Sequence, residues 1–400
     1  MLTAEELQEL IVDDLDMTKE IKDEELSELI HQRIKDAAGG EYISLNDRSR
    51  LGKELFDAFR KLNLLQEFLE DEEITEIMIN GTESIFLEKA GQIYRASKRF
   101  TSAEKLYDVV QQIVAGSNRL VNEASPIVDA RLPEGYRVHV VLPPVALNGP
   151  TVTIRKFAKD SITMDYLESI GSIGSEAAEF LKKLIKAKYN IFISGGTGSG
   201  KTTFLNALSQ YIPKEERIIT IEDNAELRIQ GVSNLVRLEA RNANVEGVGE
   251  ISIRDLIKAA LRMRPDRIIV GEVRGAEAID MLQACNTGHD GSLSTGHANS
   301  PKDMLSRLET MVFMGMDLPL CAVQRQIASA IDILVHLGRL RDKSRKVLEI
   351  TEVLDVCGQE IRLRPLFSFE ETGEDNGRIT GIWREIAELS ERRKLLAAGL

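Results

Sequence analysis

The spacing of hydrophobic residues changes twice along this chain, and each change predicts a different kind of structure. In residues 1–70, leucine and isoleucine recur every three or four positions among many charged residues, as in amphipathic helices. From residue 74, short apolar runs alternate with turn signals such as Asn80-Gly81, which are typical of hairpins. From residue 176, apolar runs alternate with helical stretches, which predicts a parallel sheet covered by helices on both faces.

These patterns divide the chain into segments. We predict an N-terminal helical region (1–70), an α+β domain (71–157), a linker (158–175), an α/β domain (176–367) and a tail (368–400). The expected strands of the α/β domain are 190–194, 217–221, 267–271, 292–296 and 332–336. A β-ribbon over Val347–Val356 and Gln359–Leu366 should follow, and the tail from Trp383 should form a charged helix.

The strongest chemical signal is the segment Gly195-Gly196-Thr197-Gly198-Ser199-Gly200-Lys201-Thr202, which matches the phosphate-loop pattern G-x-x-x-x-G-K-[ST]. It follows an apolar run and precedes a helical stretch that begins at Thr203. Glycines let such a loop turn its N–H groups toward a triphosphate at a helix N-terminus. Lys201 can reach the β and γ phosphates, and the Thr202 hydroxyl can ligate Mg²⁺. We predict that residues 195–203 bind ATP and Mg²⁺; the alternative is a glycine-rich turn that matches by chance.

Two acidic positions follow predicted strands. Glu222 lies in the run Thr220-Ile221-Glu222-Asp223, at the carboxyl end of a predicted strand, where open α/β sheets bind ligands. It could orient or deprotonate water, or it could be a solvated strand end. The segment Arg267–Gly275 resembles a Walker B element in which Gly271 occupies the usual aspartate position. Glu272 would then act alone, or through water, on Mg²⁺.

Two of the five histidines lie in the polar segment Thr287–Ser300. A zinc site formed by Cys285, His289 and His297 lacks the usual ligand spacing, so a loop that senses the γ phosphate is the better interpretation. One histidine could instead pack in a core. Arg131, Arg137 and Arg155 lie before the phosphate loop; they could line a solvated strand face or form an arginine clamp on the triphosphate.

Charge and composition limit the function classes. With 51 basic and 64 acidic residues the net charge is −13, which disfavours nonspecific binding to nucleic acid or anionic lipid. Three widely spaced cysteines are typical of a reduced cytosolic protein. No apolar run approaches the roughly 18 residues of a membrane span. We therefore expect a cytoplasmic enzyme that reaches a membrane only through partners and binds no nucleic acid directly.

Four motifs stand in the order found in the type II/IV secretion ATPase superfamily: the phosphate loop, an Asp box (Thr220–Glu226), the Walker B variant and a His box (Thr287–Asn299). Further segments resemble Tad pilus-assembly ATPases of the CpaF type: Pro126–Pro133, Thr153–Phe157, Arg262–Gly275 and Asn286–Ser292. The resemblance covers about residues 45–367, and the tetracysteine zinc insert of the type II secretion branch is absent from the sequence.

The resemblance implies a RecA-like P-loop NTPase motor preceded by an α+β domain, a homohexameric ring, and ATP turnover that drives a platform in the inner membrane. Glu222 would be the favoured catalytic base, with Glu272 on the Mg²⁺ side. His289 and His297 would couple the γ phosphate to neighbouring elements.

The single positive charge of Lys201 is too little to neutralise a triphosphate. We therefore expect ATP to bind between the two domains and to be contacted by Arg131, Arg137 or Arg155. A conjugation ATPase of the same superfamily and a nucleotide-gated scaffold with little turnover are the alternatives.

Overall fold

The computed structural model describes residues 6–7, 10–11, 14, 23–37, 44–60, 62, 64–89, 91–117, 119–156, 162–241, 249–358 and 360–400. The chain divides into two compact units, Met1–Ala158 and Lys159–Leu400. Residues 157–161, where the predicted linker begins, and Gln359 of the predicted ribbon lie outside the described residues. Across the described ranges, no helix combines the length and the apolar character that crossing a bilayer requires.

The first unit contains helices that precede and then cover an antiparallel sheet. Its helices are α1 Asp23–Ala37, α2 Leu45–Arg60, α3 Leu65–Glu70 and α4 Ala103–Gly116. Its strands are β1 Ile74–Asn80, β2 Ser84–Lys89, β3 Gln92–Arg95, β4 Ile127–Arg131, β5 Arg137–Val141 and β6 Thr151–Arg155, in the order β3-β2-β1-β6-β5-β4. Alternate strand residues such as Ile77, Val138 and Ile154 are buried with the apolar stripe of α4, as the periodicity predicts.

The Asn80-Gly81 turn forms as predicted between β1 and β2. Gly81 has a φ of +66°, and a Cβ there would lie 2.3 Å from the carbonyl oxygen of Asn148. Only glycine fits this turn without strain. The helical region forms its own small core, in which Leu7 and Ile11 pack with Ile30, Ile34 and Leu55.

The second unit is built on a nine-stranded sheet in the order β15-β14-β13-β12-β7-β11-β10-β8-β9. Its strands are β7 Ile191–Gly195, β8 Ile218–Glu222, β9 Leu235–Glu239, β10 Arg267–Val270, β11 Leu293–His297, β12 Ile333–Arg339, β13 Arg345–Cys357, β14 Glu360–Asp375 and β15 Arg378–Glu385. Its helices are α5 Met164–Ser169, α6 Ser175–Lys186, α7 Lys201–Ser209, α8 Ile253–Ala260, α9 Ala278–Asn286, α10 Pro301–Gly315, α11 Leu320–Ala330 and α12 Arg393–Ala397.

The six strands from β12 to β9 are parallel, and β13, β14 and β15 add antiparallel pairs at one edge. All five predicted strands are present to within three residues at either end. The parallel edge strand β9 was not predicted, because its residues are half-buried or exposed and form no apolar run.

The predicted helix from Trp383 to the C-terminus is wrong for most of its length. Strand β15 continues to Glu385, and the helix spans only Arg393–Ala397. The Trp383 ring packs on Phe369 with centroids 4.9 Å apart, and its Nε1 donates to the Val347 carbonyl at 2.8 Å. Pairing with β14 therefore overrides the local charge pattern, and the sheet of the α/β domain extends well beyond residue 367.

The last residues are tied to the body of the second unit. The buried Glu352 carboxylate accepts hydrogen bonds from the Ser390 and Glu391 amides, and the Tyr189 hydroxyl donates to the Glu391 carbonyl. Lys394 Nζ lies 2.7 Å from carboxylate oxygens of both Asp290 and Asp332. The tail is therefore held at the amino ends of the parallel strands.

Candidate active site

The phosphate loop joins β7 to α7 at the carboxyl edge of the parallel sheet. Gly200 has a φ of +91° and precedes Lys201, the first residue of α7, and no side chain caps the free N–H groups of this helix. A Cβ at Gly195 would lie 2.4 Å from the Leu337 carbonyl, so the loop needs glycine to pack against β12. Uncapped N–H groups at a helix start are a ready site for an anion.

The surroundings of the Lys201 side chain indicate whether this loop can hold a phosphate. Its side chain is 8% exposed, and Nζ donates to the Gly195 and Gly196 carbonyls at 3.1 and 3.0 Å. No carboxylate in the described part of the chain pairs with it, and burial lowers its pKa. A buried ammonium group with only neutral acceptors is costly unless an anion joins it. The loop therefore fits the phosphates of a nucleotide.

His297 links Lys201 to Glu272. Lys201 Nζ lies 3.3 Å from His297 Nδ1, and His297 Nε2 lies 3.2 Å from Glu272 Oε1. Because an ammonium group can only donate, Nδ1 must accept and Nε2 must carry the proton that it donates to Glu272. Burial and the neighbouring Lys201 charge lower the pKa of His297, which favours this neutral form.

Strand register explains why these three residues meet. In the parallel pairing of β11 with β7, His297 stands opposite Gly195, and Glu272 follows β10, the other neighbour of β11. The Thr295 hydroxyl also donates to the Gly271 carbonyl at 2.7 Å, which fixes the start of the Glu272 loop. The sheet thus brings together residues that are far apart in sequence.

Glu222 occupies a different environment. It is 3% exposed; Oε1 accepts the Glu226 and Leu227 amides, both at 2.7 Å, while Oε2 has no partner among the described residues. Burial raises its pKa to about 7, although the two amides oppose the shift. A Cβ at Gly271 would lie 2.8 Å from Glu222 Cγ, so the glycine at the usual aspartate position makes room for this side chain.

The two histidines of the His box lie at opposite ends of β11. His297 ends the strand, whereas His289 precedes it and contacts the Ala284 carbonyl at 3.3 Å. The structure therefore brings His297, and not His289, to the phosphate loop of the same chain. The expected coupling of His289 to the γ phosphate therefore stays a prediction.

Buried polar contacts hold the segment around His289 in place. The Asn190 Oδ1 accepts the Gly291 and Ser292 amides, and the fully buried Arg267 guanidinium pairs with Glu216. Gly291 has a φ of +83°, and a Cβ there would meet the Arg267 guanidinium at 2.5 Å. The zinc alternative also finds no site, because the described residues include no cluster of three potential ligands.

Arg131, Arg137 and Arg155 form a row across three neighbouring strands of the first unit. Arg137 is the register partner of Arg131 on one side and of Arg155 on the other, so the three side chains share one face. Arg137 Nη2 lies 3.5 Å from Asp129 Oδ1. The phosphate loop belongs to the second unit, and the predicted clamp stays a prediction.

Sequence reasoning missed two arginines beside the phosphate loop. Arg345 Nε donates to the Gly198 carbonyl at 2.9 Å, and Arg339 Nη1 lies 4.0 Å from the position of a Cβ at Gly198. The expectation that Lys201 is a lone cation is therefore wrong. The signal in the sequence was the basic run from Arg339 to Lys346 in an otherwise acidic chain.

The sequence of this chain is similar to those of known proteins. The family described as "Type II/IV secretion system protein" matches residues 60–385. The chain belongs to this family. It is 36% identical to a putative conjugal transfer protein of Mycobacterium tuberculosis over 74% of this chain and 85% of that protein. It is 34% identical to the type IV secretion system protein PtlH of Bordetella pertussis, over 72% and 93% of the two chains.

Two solved structures share the fold of this family. The ATPase DotB of Legionella pneumophila matches with a TM-score of 0.52 and 22% identity, over 72% of this chain and 79% of that chain. The pilus retraction motor PilT matches with a TM-score of 0.52 and 20% identity, over 76% and 80%. The predicted RecA-like P-loop fold is thereby confirmed. These relatives do not distinguish a CpaF-type protein from other members of the family.

The raised pKa of Glu222 generates a prediction about stability. An unfolded glutamate titrates near its ordinary value of 4.5, so the folded state loses stability as pH rises from there toward about 7. Glu222→Gln removes this titration and keeps an oxygen for the two amides. Relative to the wild type, the variant should gain roughly 3 kcal/mol between pH 4.5 and pH 8, from a shift of about 2.5 pKa units.

Urea unfolding of both proteins at pH 5 and pH 8 measures this difference. Glu226→Gln is the matched control, because it removes the same charge from the same loop. Identical pH dependence of unfolding in wild type and Glu222→Gln would contradict the assignment.

Proposed function

We propose that this chain hydrolyses ATP and thereby powers a pilus-assembly or secretion machine. The observation that carries the proposal is the buried Lys201, which has neutral acceptors in the phosphate loop and is linked through His297 to Glu272. This arrangement supports binding of an anion at one side of His297 and acid–base chemistry at the other. Membership in a secretion family supports a motor role.

The binding roles follow from the loop. The backbone N–H groups that would bind the phosphates are those of Gly196, Thr197, Gly198, Ser199, Gly200, Lys201, Thr202 and Thr203. Thr202 offers an oxygen ligand of the kind that Mg²⁺ prefers, and Glu272 can contact the ion through a water molecule. When bound, Mg²⁺ supplies charge that offsets the β- and γ-phosphate oxygens.

We assign the base to Glu272 rather than to Glu222. Glu272 is about a third exposed and is oriented by the His297 Nε2–H, so it can receive a proton from water. Burial lowers the pKa of Lys201, and the charge of Glu272 opposes this shift. The pKa of Glu222 responds instead to burial, to the amides of its own loop and to Arg237. Glu222 then anchors the Asp-box loop through the Glu226 and Leu227 amides. This reverses the preference drawn from the resemblance.

A homohexameric ring and an arginine clamp remain part of the proposal. The clamp is supported by the placement of Arg131, Arg137 and Arg155 on one face of the sheet, because guanidinium groups can bind phosphate oxygens.

The favoured setting is a Tad-type pilus system, with the chain at the cytoplasmic face of the inner membrane through platform proteins. The support is the match of Pro126–Pro133 and Arg262–Gly275 to that type. Conjugation or type IV secretion is the second candidate, favoured by the names of the relatives above. The net charge of −13 argues against direct handling of DNA in either setting.

Lys201→Ala should abolish Mg²⁺-dependent ATP hydrolysis. Removing a charge that stabilises the transferring phosphoryl group costs on the order of 10²–10³ in rate. Steady-state phosphate release by the full chain measures this loss, with Lys214→Ala, an exposed lysine, as control. Equal turnover in the wild type and Lys201→Ala would refute the site. A wild type that binds ATP without turnover would support the scaffold alternative.

Glu272→Gln and Glu222→Gln separate the two acids. If Glu272 is the base, Glu272→Gln should still bind ATP but lose about 10²–10⁴ in kcat, while Glu222→Gln loses much less. Binding is followed with a fluorescent ATP analogue and turnover by phosphate release. The reverse order of the two kcat losses would restore Glu222 as the base.

Deleting the gene for this protein from its host distinguishes a Tad-type pilus system from a conjugation system. In a Tad-type system the deletion should remove surface pili and leave plasmid transfer between cells unchanged. Microscopy of pili and a mating assay measure the two outcomes, and restoring the wild-type chain, but not Lys201→Ala, should recover the pili. Loss of plasmid transfer with pili unchanged would favour the conjugation candidate.

A further inference from the structure

The turn between β12 and β13 presents two arginines side by side. Arg339 and Arg345 are direct register partners at the end of this antiparallel pair. The turn between them is closed by hydrogen bonds from the Leu340 amide to the Ser344 carbonyl and from the Lys343 amide to the Leu340 carbonyl. Two like charges opposite each other cost stability unless something of opposite charge joins them.

Both guanidinium groups lie against the phosphate loop and lack a carboxylate partner among the described residues. Arg345 Nε donates to the Gly198 carbonyl, and Arg345 Cδ lies 3.4 Å from the position of a Cβ at Gly200. Arg339 Nη1 approaches Gly198 from the same side. A bond from Nε leaves the Nη donors of Arg345 available. Both side chains are exposed, so an incoming ligand can reach them.

The β14–β15 ribbon fixes this turn. Arg341, in the turn, pairs with Glu371 at 2.6 Å and Glu374 at 3.3 Å, both on β14. Asp342 accepts the backbone amide of Ile379, on β15, at 2.8 Å. The ribbon therefore holds the turn at two points, one through a side-chain ion pair and one through the backbone.

We propose that Arg339 and Arg345 bind the phosphates of the nucleotide held by the phosphate loop of the same chain, and that Arg341 positions them through the ribbon. This rests on the proposed function, because it takes ATP as the ligand of the loop. A guanidinium group donates two parallel N–H bonds to phosphate oxygens, so a pair of arginines suits a polyphosphate. The ribbon then acts on nucleotide affinity without touching the nucleotide.

The test uses displacement of a fluorescent ATP analogue from the full chain by ATP and by inorganic tripolyphosphate, which has no base or ribose. Arg345→Ala and Arg339→Ala should each weaken both competitors by roughly tenfold, because each loses a charge-assisted hydrogen bond. Arg345→Lys should recover part of the loss. Arg384→Ala is the matched control, because it removes an arginine of β15 that pairs with Glu370 on the same ribbon.

Arg341→Ala tests the positioning role and should weaken both competitors by a smaller factor, as should Glu371→Gln. Weaker ATP with unchanged tripolyphosphate would assign the arginines to the base or ribose and overturn the proposal. Affinities equal to those of Arg384→Ala would also overturn it. In both cases the wild type still binds ATP and Lys201→Ala does not. A wild type that binds neither competitor would instead refute the proposed function.

Discussion

Burial of the Lys201 ammonium group in the phosphate loop constrains the rest of the second unit. An ammonium group removed from water is stable only among well-placed acceptors. Here the Gly195 and Gly196 carbonyls and His297 provide them. The loop can take this conformation beside β12 only with a glycine, because a Cβ at Gly195 would lie 2.4 Å from the Leu337 carbonyl oxygen. The position of β12 beside β7 is thus part of the chemistry of the loop.

The amino ends and the carboxyl ends of the parallel strands have different roles. At the amino ends, buried polar groups hold the structure: Arg267 pairs with Glu216, Asn190 binds the Gly291 loop, and Lys394 ties the tail to Asp290 and Asp332. At the carboxyl ends, the buried Lys201 is linked by hydrogen bonds to the partly accessible His297 and Glu272. The His box spans both ends, which is why its two histidines have different surroundings.

The acidic residues show how environment separates chemically identical groups. Glu222 is enclosed by its own loop, and burial favours its protonated form. Glu272 is more exposed and faces a neutral histidine that donates to it. The first arrangement suits a structural role with a pH-dependent cost, and the second suits exchange of a proton with water.

The sequence by itself determined the elements whose signals are local. The phosphate loop, the strands that lead into the site and the Asn80-Gly81 hairpin follow from periodicity and turn chemistry, because a few neighbouring residues decide each of them. The resemblance of the motifs, taken in order, indicated the family. Local signals failed for the edge strand β9 and for β15, where pairing with a neighbouring strand decides the conformation.

Only the tertiary structure decided which charged groups meet. Arg345 reaches Gly198 across 147 positions of the sequence, and His297 reaches Lys201 across 96. No local pattern encodes such contacts, since they depend on strand order and register in the sheet. Strand β11 separates His289 from His297, because they lie at its opposite ends although they belong to one motif. Periodicity specifies which residues form strands, but the order and register of those strands place the side chains that carry out the chemistry.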